Sequence, residues 1–306
     1  MTPNPGGGVD ITITDPSQLT ATLGTSGIDQ VIYGGSGTVV LPDNIENVTL
    51  TGGNANARGN SLANAVRGSA GDNVLETMAG NDWVHSGSGG DTVDGGTGRD
   101  YVFGGTGNDL IQGASGNDTL YGYKDDDRVS GGSGNDLMSG SAGNDTVSGG
   151  SGHDNVHGGS GHDWVFGDAG RDTVSGGIGN DTVNGGAGND TLYGNAGRDV
   201  FVFDTKLSKG SNVDTIKDFN VANDSLWLDD AIFTRLGTGT RAEPSALKSG
   251  SFVVGSWARD ADDYLIYDRA TGVLSYDADG SGAKAAVVFA RLKKDLALTH
   301  KDFLIV

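Results

Sequence analysis

Gly185-Gly186-Ala187-Gly188-Asn189-Asp190-Thr191-Leu192-Tyr193 is one of 15 nonapeptides that follow one another from Gly68 to Val202 without insertion or deletion. Position six is Asp in 14 of the 15: Asp82, Asp91, Asp100, Asp109, Asp118, Asp127, Asp136, Asp145, Asp154, Asp163, Asp172, Asp181, Asp190 and Asp199. The first unit carries Asn73 there, and position eight is apolar in all 15, from Leu75 through Val84 to Leu192 and Phe201. A fixed short period of this kind decides the architecture before any other feature is weighed.

Each part of the unit has a physical reason. Glycines allow positive φ and close approach of neighbouring backbones. The last three residues suit a very short strand. Its side chains alternate faces, so position eight points inward while seven and nine point outward. Turn, strand, turn, strand makes a coil of 18 residues, and units of equal parity stack on the same side. Stacked coils lie about 4.8 Å apart. Asp82 then lies one coil below Asp100, and Asp91 one coil below Asp109.

Facing carboxylates repel, and a cation between them reverses that sign. Turn carbonyls and carboxylates are hard oxygen ligands, and no His, Cys or Met occupies position six. This set suits Ca²⁺, which takes six to eight oxygens, better than zinc or copper. Fifteen units offer 13 same-side neighbour pairs, so about a dozen ions are expected. Composition agrees. Gly numbers 55 of 306 residues, and 40 acidic against 20 basic side chains give a net charge of −20, which ten divalent ions would cancel. Such a chain repels nucleic acid and anionic membrane and attracts cations. No Cys is present, and no apolar run is long enough to span a membrane. A disordered Gly/Asp linker has similar composition, but not this strict register; without calcium, disorder is expected.

The units resemble the repeats-in-toxin (RTX) family, with its Gly-Gly-x-Gly-x-Asp-x-hydrophobic-x signature, over nearly half the chain. The resemblance implies an all-β, right-handed parallel β-roll filled with calcium, with those 14 Asp residues as ligands. It also implies export through type I secretion machinery to the outside or surface of a Gram-negative bacterium. Two units depart from the signature. Gly122-Tyr123-Lys124-Asp125-Asp126-Asp127 has Asp at the third glycine, so a distorted site is expected. Thr77-Met78-Ala79-Gly80-Asn81-Asp82 lacks both leading glycines.

Degenerate units extend the pattern toward the N-terminus: Gly59 to Arg67, with Asn64 and Val66 at positions six and eight, and Gly24 to Ile32, with Asp29 and Val31. Thr38–Leu41 and Asn47–Leu50 read as strands. Residues 1–9 are expected to be a flexible start, Pro- and Gly-rich and without the regions of a secretory signal peptide. Residues 10–67 are expected to form coils that bind little calcium and cover the open edge, and residues 68–202 the roll. Residues 203–306 should form a β-rich cap, because large apolar side chains return there: Phe219, Leu226, Trp227, Phe233, Phe252 and Trp257. Tyr264–Tyr267 and Val273–Tyr276 read as a hairpin, with Ala286–Phe289 as a third strand. Asp214–Phe219 and Asp302–Val306 resemble the capping and secretion region of serralysin-type metalloproteases. Asp277–Gly282 invites comparison with an EF-hand loop, but Val288 holds the place of the bidentate Glu, so a turn is expected.

Protease chemistry is excluded. His-Glu-x-x-His is absent, and none of His85, His153, His157, His162 and His300 has a Glu beside it. No Cys nucleophile and no Gly-x-Ser-x-Gly elbow exists, so no catalytic residue is assigned. The outward positions say more. Even-numbered strands present Trp83/His85, Tyr101/Phe103 and Thr119/Tyr121 on three adjacent coils. Trp83, Tyr101, Phe103 and Tyr121 are candidates for stacking on an extracellular polysaccharide, as in the accessory modules of mannuronan epimerases that such rolls resemble. The simpler expectation is that the N-terminal coils or the cap cover these rings. Two roles stay open: a structural or adhesive calcium protein, comparable to secreted calcium binders of rhizobia, or an accessory module of a larger enzyme.

Overall fold

A computed structural model describes residues 2–3, 8–19, 27–282 and 284–306. Most of the expected flexible start, and the first residues of the Gly24–Ile32 unit, lie outside the described residues. The chain forms two compact units, Met1–Ser151 and Gly152–Val306. Both are parallel β-rolls.

In the first unit, one stack runs through Trp83–Ser88, Tyr101–Thr106, Thr119–Lys124 and Leu137–Ala142. Trp83 pairs with Tyr101, Tyr101 with Thr119, and Thr119 with Leu137, a step of 18 residues each time. The opposite stack runs through Val74–Glu76, Thr92–Asp94, Leu110–Ser115 and Arg128–Ser133 with the same step. Most of these strands are six residues long rather than three. The reason is the close superposition of coils: turn residues such as Gly87 and Gly105 also lie in register, so their backbone groups pair as strand residues do. Earlier strands join the same stacks, at steps of 20 (Asp10 to Gln30), 17 (Gln30 to Asn47) and 18 (Asn47 to Ala65).

In the second unit the 18-residue step holds from Asn155 to Thr173 to Thr191 and from Trp164 to Thr182 to Val200. The stacks then continue with longer loops. Thr191 pairs with Thr215 and Val200 with Ser225, steps of 24 and 25 residues. Phe303–Ile305 adds to one stack and Val287–Arg291 to the other. Leu265–Asp268 and Val273–Tyr276 form the expected hairpin, and Val287–Arg291 pairs antiparallel with Val273–Tyr276 as its third strand.

The core is thin. All 15 position-eight side chains are at most 2% exposed, each contributing about 1.5–3 kcal/mol if fully apolar and buried. The C-terminal half of the second unit adds a conventional aromatic core, in which Phe233 meets Tyr276 and Phe289 edge-on at centroid distances of 5.2 and 5.1 Å.

Candidate metal centre

The glycines of the repeat serve two different needs. Positions two and four take positive φ, for example Gly96 (82°) and Gly98 (127°). Non-glycine residues at position two follow the same path: Met78, Ala114, Tyr123 and Ser141 lie at φ of 69–86°. A left-handed L-residue costs about 1–2 kcal/mol. Position one takes no positive φ; it needs room. A Cβ on Gly113 would lie 2.5 Å from Asp118 Oδ2 and 2.8 Å from Gly131 O, and one on Gly95 would lie 2.8 and 3.1 Å from Asp100 Oδ2 and Gly113 O. The second unit repeats this at Gly167, against Asp172 Oδ2 and Gly185 O.

All 14 position-six carboxylates are buried, none more than 3% exposed. They form two ladders in each unit. In the first unit the backbone N–H of Asp82 donates to Asp100 Oδ1, Asp100 to Asp118, and Asp118 to Asp136, at 2.8–2.9 Å. Asp91, Asp109, Asp127 and Asp145 repeat the arrangement on the other side, at 2.8 Å. In the second unit, Asp154 donates to Asp172 and Asp172 to Asp190, while Asp163 donates to Asp181 and Asp181 to Asp199, at 2.8–3.0 Å. One oxygen of each accepting carboxylate is therefore satisfied by the chain itself.

The other oxygen is not. Oδ2 of Asp82, Asp91, Asp100, Asp109, Asp118 and Asp127, and of Asp172, Asp181 and Asp199, is buried and accepts no hydrogen bond. At Asp100, Asp109, Asp118 and Asp172 the carbonyl of the position-one glycine one coil onward, another acceptor, borders the same hollow. Leaving such a group unsatisfied costs about 1–3 kcal/mol, and more when it is charged. The protonation equilibrium registers the conflict. Burial pushes Asp100, Asp109, Asp127 and Asp172 from the ordinary 3.8 up to about 7, and Asp91, Asp118, Asp145 and Asp199 to about 6. The donated N–H opposes the rise, and neighbouring carboxylates add to it at Asp100, Asp109, Asp127 and Asp172. An orphaned oxygen, a facing carbonyl and a hollow kept open by glycine fit a hard cation. Among the described residues no three acidic or His side chains converge as a metal site. A cation in the roll would therefore draw most of its oxygens from backbone.

The unit with Asp at the third glycine is not distorted. Asp125 adopts φ 75° in the glycine's place, and Asp127 keeps the ladder bond from Asp109 at 2.8 Å. Two ladder members lie off the 18-residue step. Asp214 Oδ1 accepts from Asp190 N at 3.1 Å, and Asp224 Oδ1 from Asp199 N at 3.0 Å, across 24 and 25 residues. Burial and the Asp190 charge push Asp214 up to about 8. Two histidines are explained as turn residues: Nδ1 of His153 and His162 accepts the N–H of Arg171 and Asn180, as Asn81 does for Arg99. Asp277–Gly282 is a turn, in which Asp279 N donates to Asp277 Oδ1 at 3.3 Å.

Of the four candidate rings, Phe103 and Tyr121 are half-buried and Trp83 and Tyr101 are exposed. Trp83, Tyr101 and Tyr123 are exposed, at 37, 36 and 46%. The expected cover is missing at Trp83 and Tyr101, which point outward from position seven. Phe103 stacks on Tyr121 with centroids 5.6 Å apart and planes 6° from parallel, and it meets Trp83 and Tyr123 at 6.0 Å. Tyr123 joins the row because its strand, Thr119–Lys124, runs through the turn. Arg99 lies over the Tyr101 ring at 5.4 Å and donates to its hydroxyl at 2.6 Å.

The family model for the RTX calcium-binding nonapeptide repeat (4 copies) matches residues 58–93, 67–102, 94–129, 103–138, 130–165, 139–174 and 166–201. Two solved structures are similar. The AlgE6R3 subunit of the mannuronan C5-epimerase of Azotobacter vinelandii is 21% identical, with a TM-score of 0.26, over 59% of this chain and 77% of that one. The extracellular lipase LipA of Serratia marcescens is 16% identical, with a TM-score of 0.28, over 91% of this chain and 45% of that one. No curated protein matches the chain.

Proposed function

We propose, from the premise that residues 58–201 are RTX calcium-binding nonapeptide repeats, that this chain is a secreted, non-catalytic protein that folds on calcium outside the cell and serves a structural or adhesive role there. The observation that carries the reading is the row of buried Oδ2 atoms that accept no hydrogen bond, bordered by a glycine carbonyl at Asp100, Asp109, Asp118 and Asp172. Calcium supplies the positive charge those oxygen pairs lack. The ladder Asp residues from Asp82 to Asp199, with backbone carbonyls of the turns, would hold it. Oδ1 keeps each carboxylate oriented through the N–H of the preceding coil. Position-one glycine keeps the space open, and position eight keeps water from the inner side.

Calcium outside cells is abundant enough for sites with Kd of order 10⁻⁴–10⁻³ M. Ions that bind the folded state alone stabilise it by mass action, summed over sites. In calcium-poor cytosol the repeats would stay extended, which suits passage through a type I channel. Residues 10–67 would cap one edge, and residues 203–306 would cap the other and carry the secretion signal, read before folding. Far-UV circular dichroism of the full chain tests the reading. We expect a β signal in millimolar calcium that collapses in chelator, with a steep, cooperative calcium dependence. A β signal indifferent to chelator would overturn it.

A second reading rests on the partly exposed aromatic row. Trp83, Tyr101, Phe103 and Tyr121, extended by Tyr123, form a surface suited to the flat faces of sugar rings. The chain would then be a non-catalytic polysaccharide-binding module of a larger extracellular enzyme.

A further inference from the structure

The first unit, Met1–Ser151, carries five basic side chains against 18 acidic ones. Three of the five, Arg67, Arg99 and Lys124, lie at the aromatic row. The other two are on the opposite stack: Arg58, which pairs with Glu76 at 3.5 Å, and Arg128. Among the described residues, none of the three at the row is ion-paired.

The three cations are placed beside rings. Arg67 and Trp83 line one hollow of about 210 Å³, together with Gln30, Asn47 and Thr49. Lys124 and Tyr123 line a second, of about 250 Å³, together with His85 and Thr106. No carboxylate lines either hollow. Asp125, next to Lys124 in sequence, spends Oδ2 on the Gly107 N–H at 2.9 Å. Phe103 joins the two hollows, since it meets both Trp83 and Tyr123 at 6.0 Å. Arg99 is fixed by the ring and the hydroxyl of Tyr101, on the strand paired with that of Trp83.

We infer that this face binds an anionic polysaccharide, with its sugar rings against Trp83, Tyr101 and Tyr123 and its carboxylates or sulfates on Arg67, Arg99 and Lys124. The inference rests on the polysaccharide reading of the same row and names the class of its ligand. Exposed rings offer apolar area to sugar C–H faces. The amides and hydroxyls of the hollows can exchange hydrogen bonds with sugar hydroxyls. Unpaired cations at a row free of lining carboxylates, in a unit otherwise so acidic, select negative charge. Single-stranded nucleic acid also uses rings and cations, but it needs a run of free ring faces. Here Phe103 and Tyr121 spend their faces on each other, with planes 6° from parallel.

Isothermal titration calorimetry of the full, calcium-loaded chain tests it with hexagalacturonate, its carboxyl-reduced neutral form, dextran sulfate and dextran. At least one anionic probe is expected to bind about tenfold tighter than its neutral counterpart at about 50 mM salt, with the gap narrowing at about 500 mM. Binding of hexagalacturonate assigns the cations to carboxylates, and binding of dextran sulfate to sulfates; either supports the inference. Arg67→Ala and Lys124→Ala should each weaken that probe about fivefold, with calcium content and circular dichroism unchanged. Arg128→Ala, on the opposite stack, should leave the affinity as it is. Equal affinity for charged and neutral probes overturns the inference and leaves the polysaccharide reading standing; binding to none of the four overturns both. An equal loss in Arg128→Ala would mean diffuse attraction without a site. Tighter binding of oligothymidylate than of either anionic probe would make the face a nucleic-acid surface. Each of these two results also overturns the inference.

Discussion

Gly113 shows how much one hydrogen atom can decide. Its φ is open to any residue, and its Ala counterpart would be unremarkable in most loops. Here the added methyl would meet Asp118 Oδ2 at 2.5 Å and Gly131 O at 2.8 Å. It would occupy the hollow assigned to the cation. Gly113→Ala is therefore expected to bind one calcium fewer and to lose about 1–3 kcal/mol of calcium-loaded stability, the usual cost of overpacking. Urea unfolding in millimolar calcium, with a parallel ion count, measures both. Positions two and four follow a different rule, for they need positive φ rather than room. That is why Met78, Ala114, Tyr123 and Ser141 are accepted at position two at the cost of modest strain.

At the scale of the strand, the 18-residue step makes ranks of side chains. The position-eight rank is uniformly apolar and needs no further explanation. The outward rank Arg67, His85, Phe103, Tyr121 lies on adjacent paired strands. A partly exposed row of rings in a chain this rich in Gly and Asp is a feature that the calcium reading does not use. If the row binds a polysaccharide, Trp83→Ala and Tyr123→Ala should each weaken binding on a glycan array by about tenfold, the effect of losing roughly 1–2 kcal/mol of aromatic contact. Calcium binding should be unaffected in both. Absence of binding to any acidic or neutral glycan by the wild type would end that reading.

Over the whole chain, the net charge of −20 and the stacked carboxylates make the metal-free fold sensitive to pH. In the folded state Asp100, Asp109, Asp127 and Asp172 are raised to about 7, against an ordinary 3.8. The folded chain therefore binds more protons than the unfolded one between these values. Stability contributed by these groups is fully present below about pH 4 and is lost as pH rises toward 7. In calcium-free buffer, a stronger β signal is expected at pH 5 than at pH 8, read by circular dichroism with sedimentation to exclude aggregation. Calcium should reverse the trend, because it replaces the protons, and its binding near pH 6 should release them. A metal-free chain that is equally structured, or better structured, at pH 8 would contradict this account.

The nine-residue period by itself determined the 18-residue coil, the buried position eight and the superposition of Asp82 on Asp100 and Asp91 on Asp109. A strict period is a fixed translation along a stack, so it specifies which residues lie over which. It could not specify which atom faces which. Only the tertiary structure separates the satisfied Oδ1 from the orphaned Oδ2 and turns Tyr123 into the aromatic row. It alone brings Asp214 and Asp224 onto the ladders across 24 and 25 residues. Loops of unequal length carry no period, and their closure is decided by the packing of the strands they join.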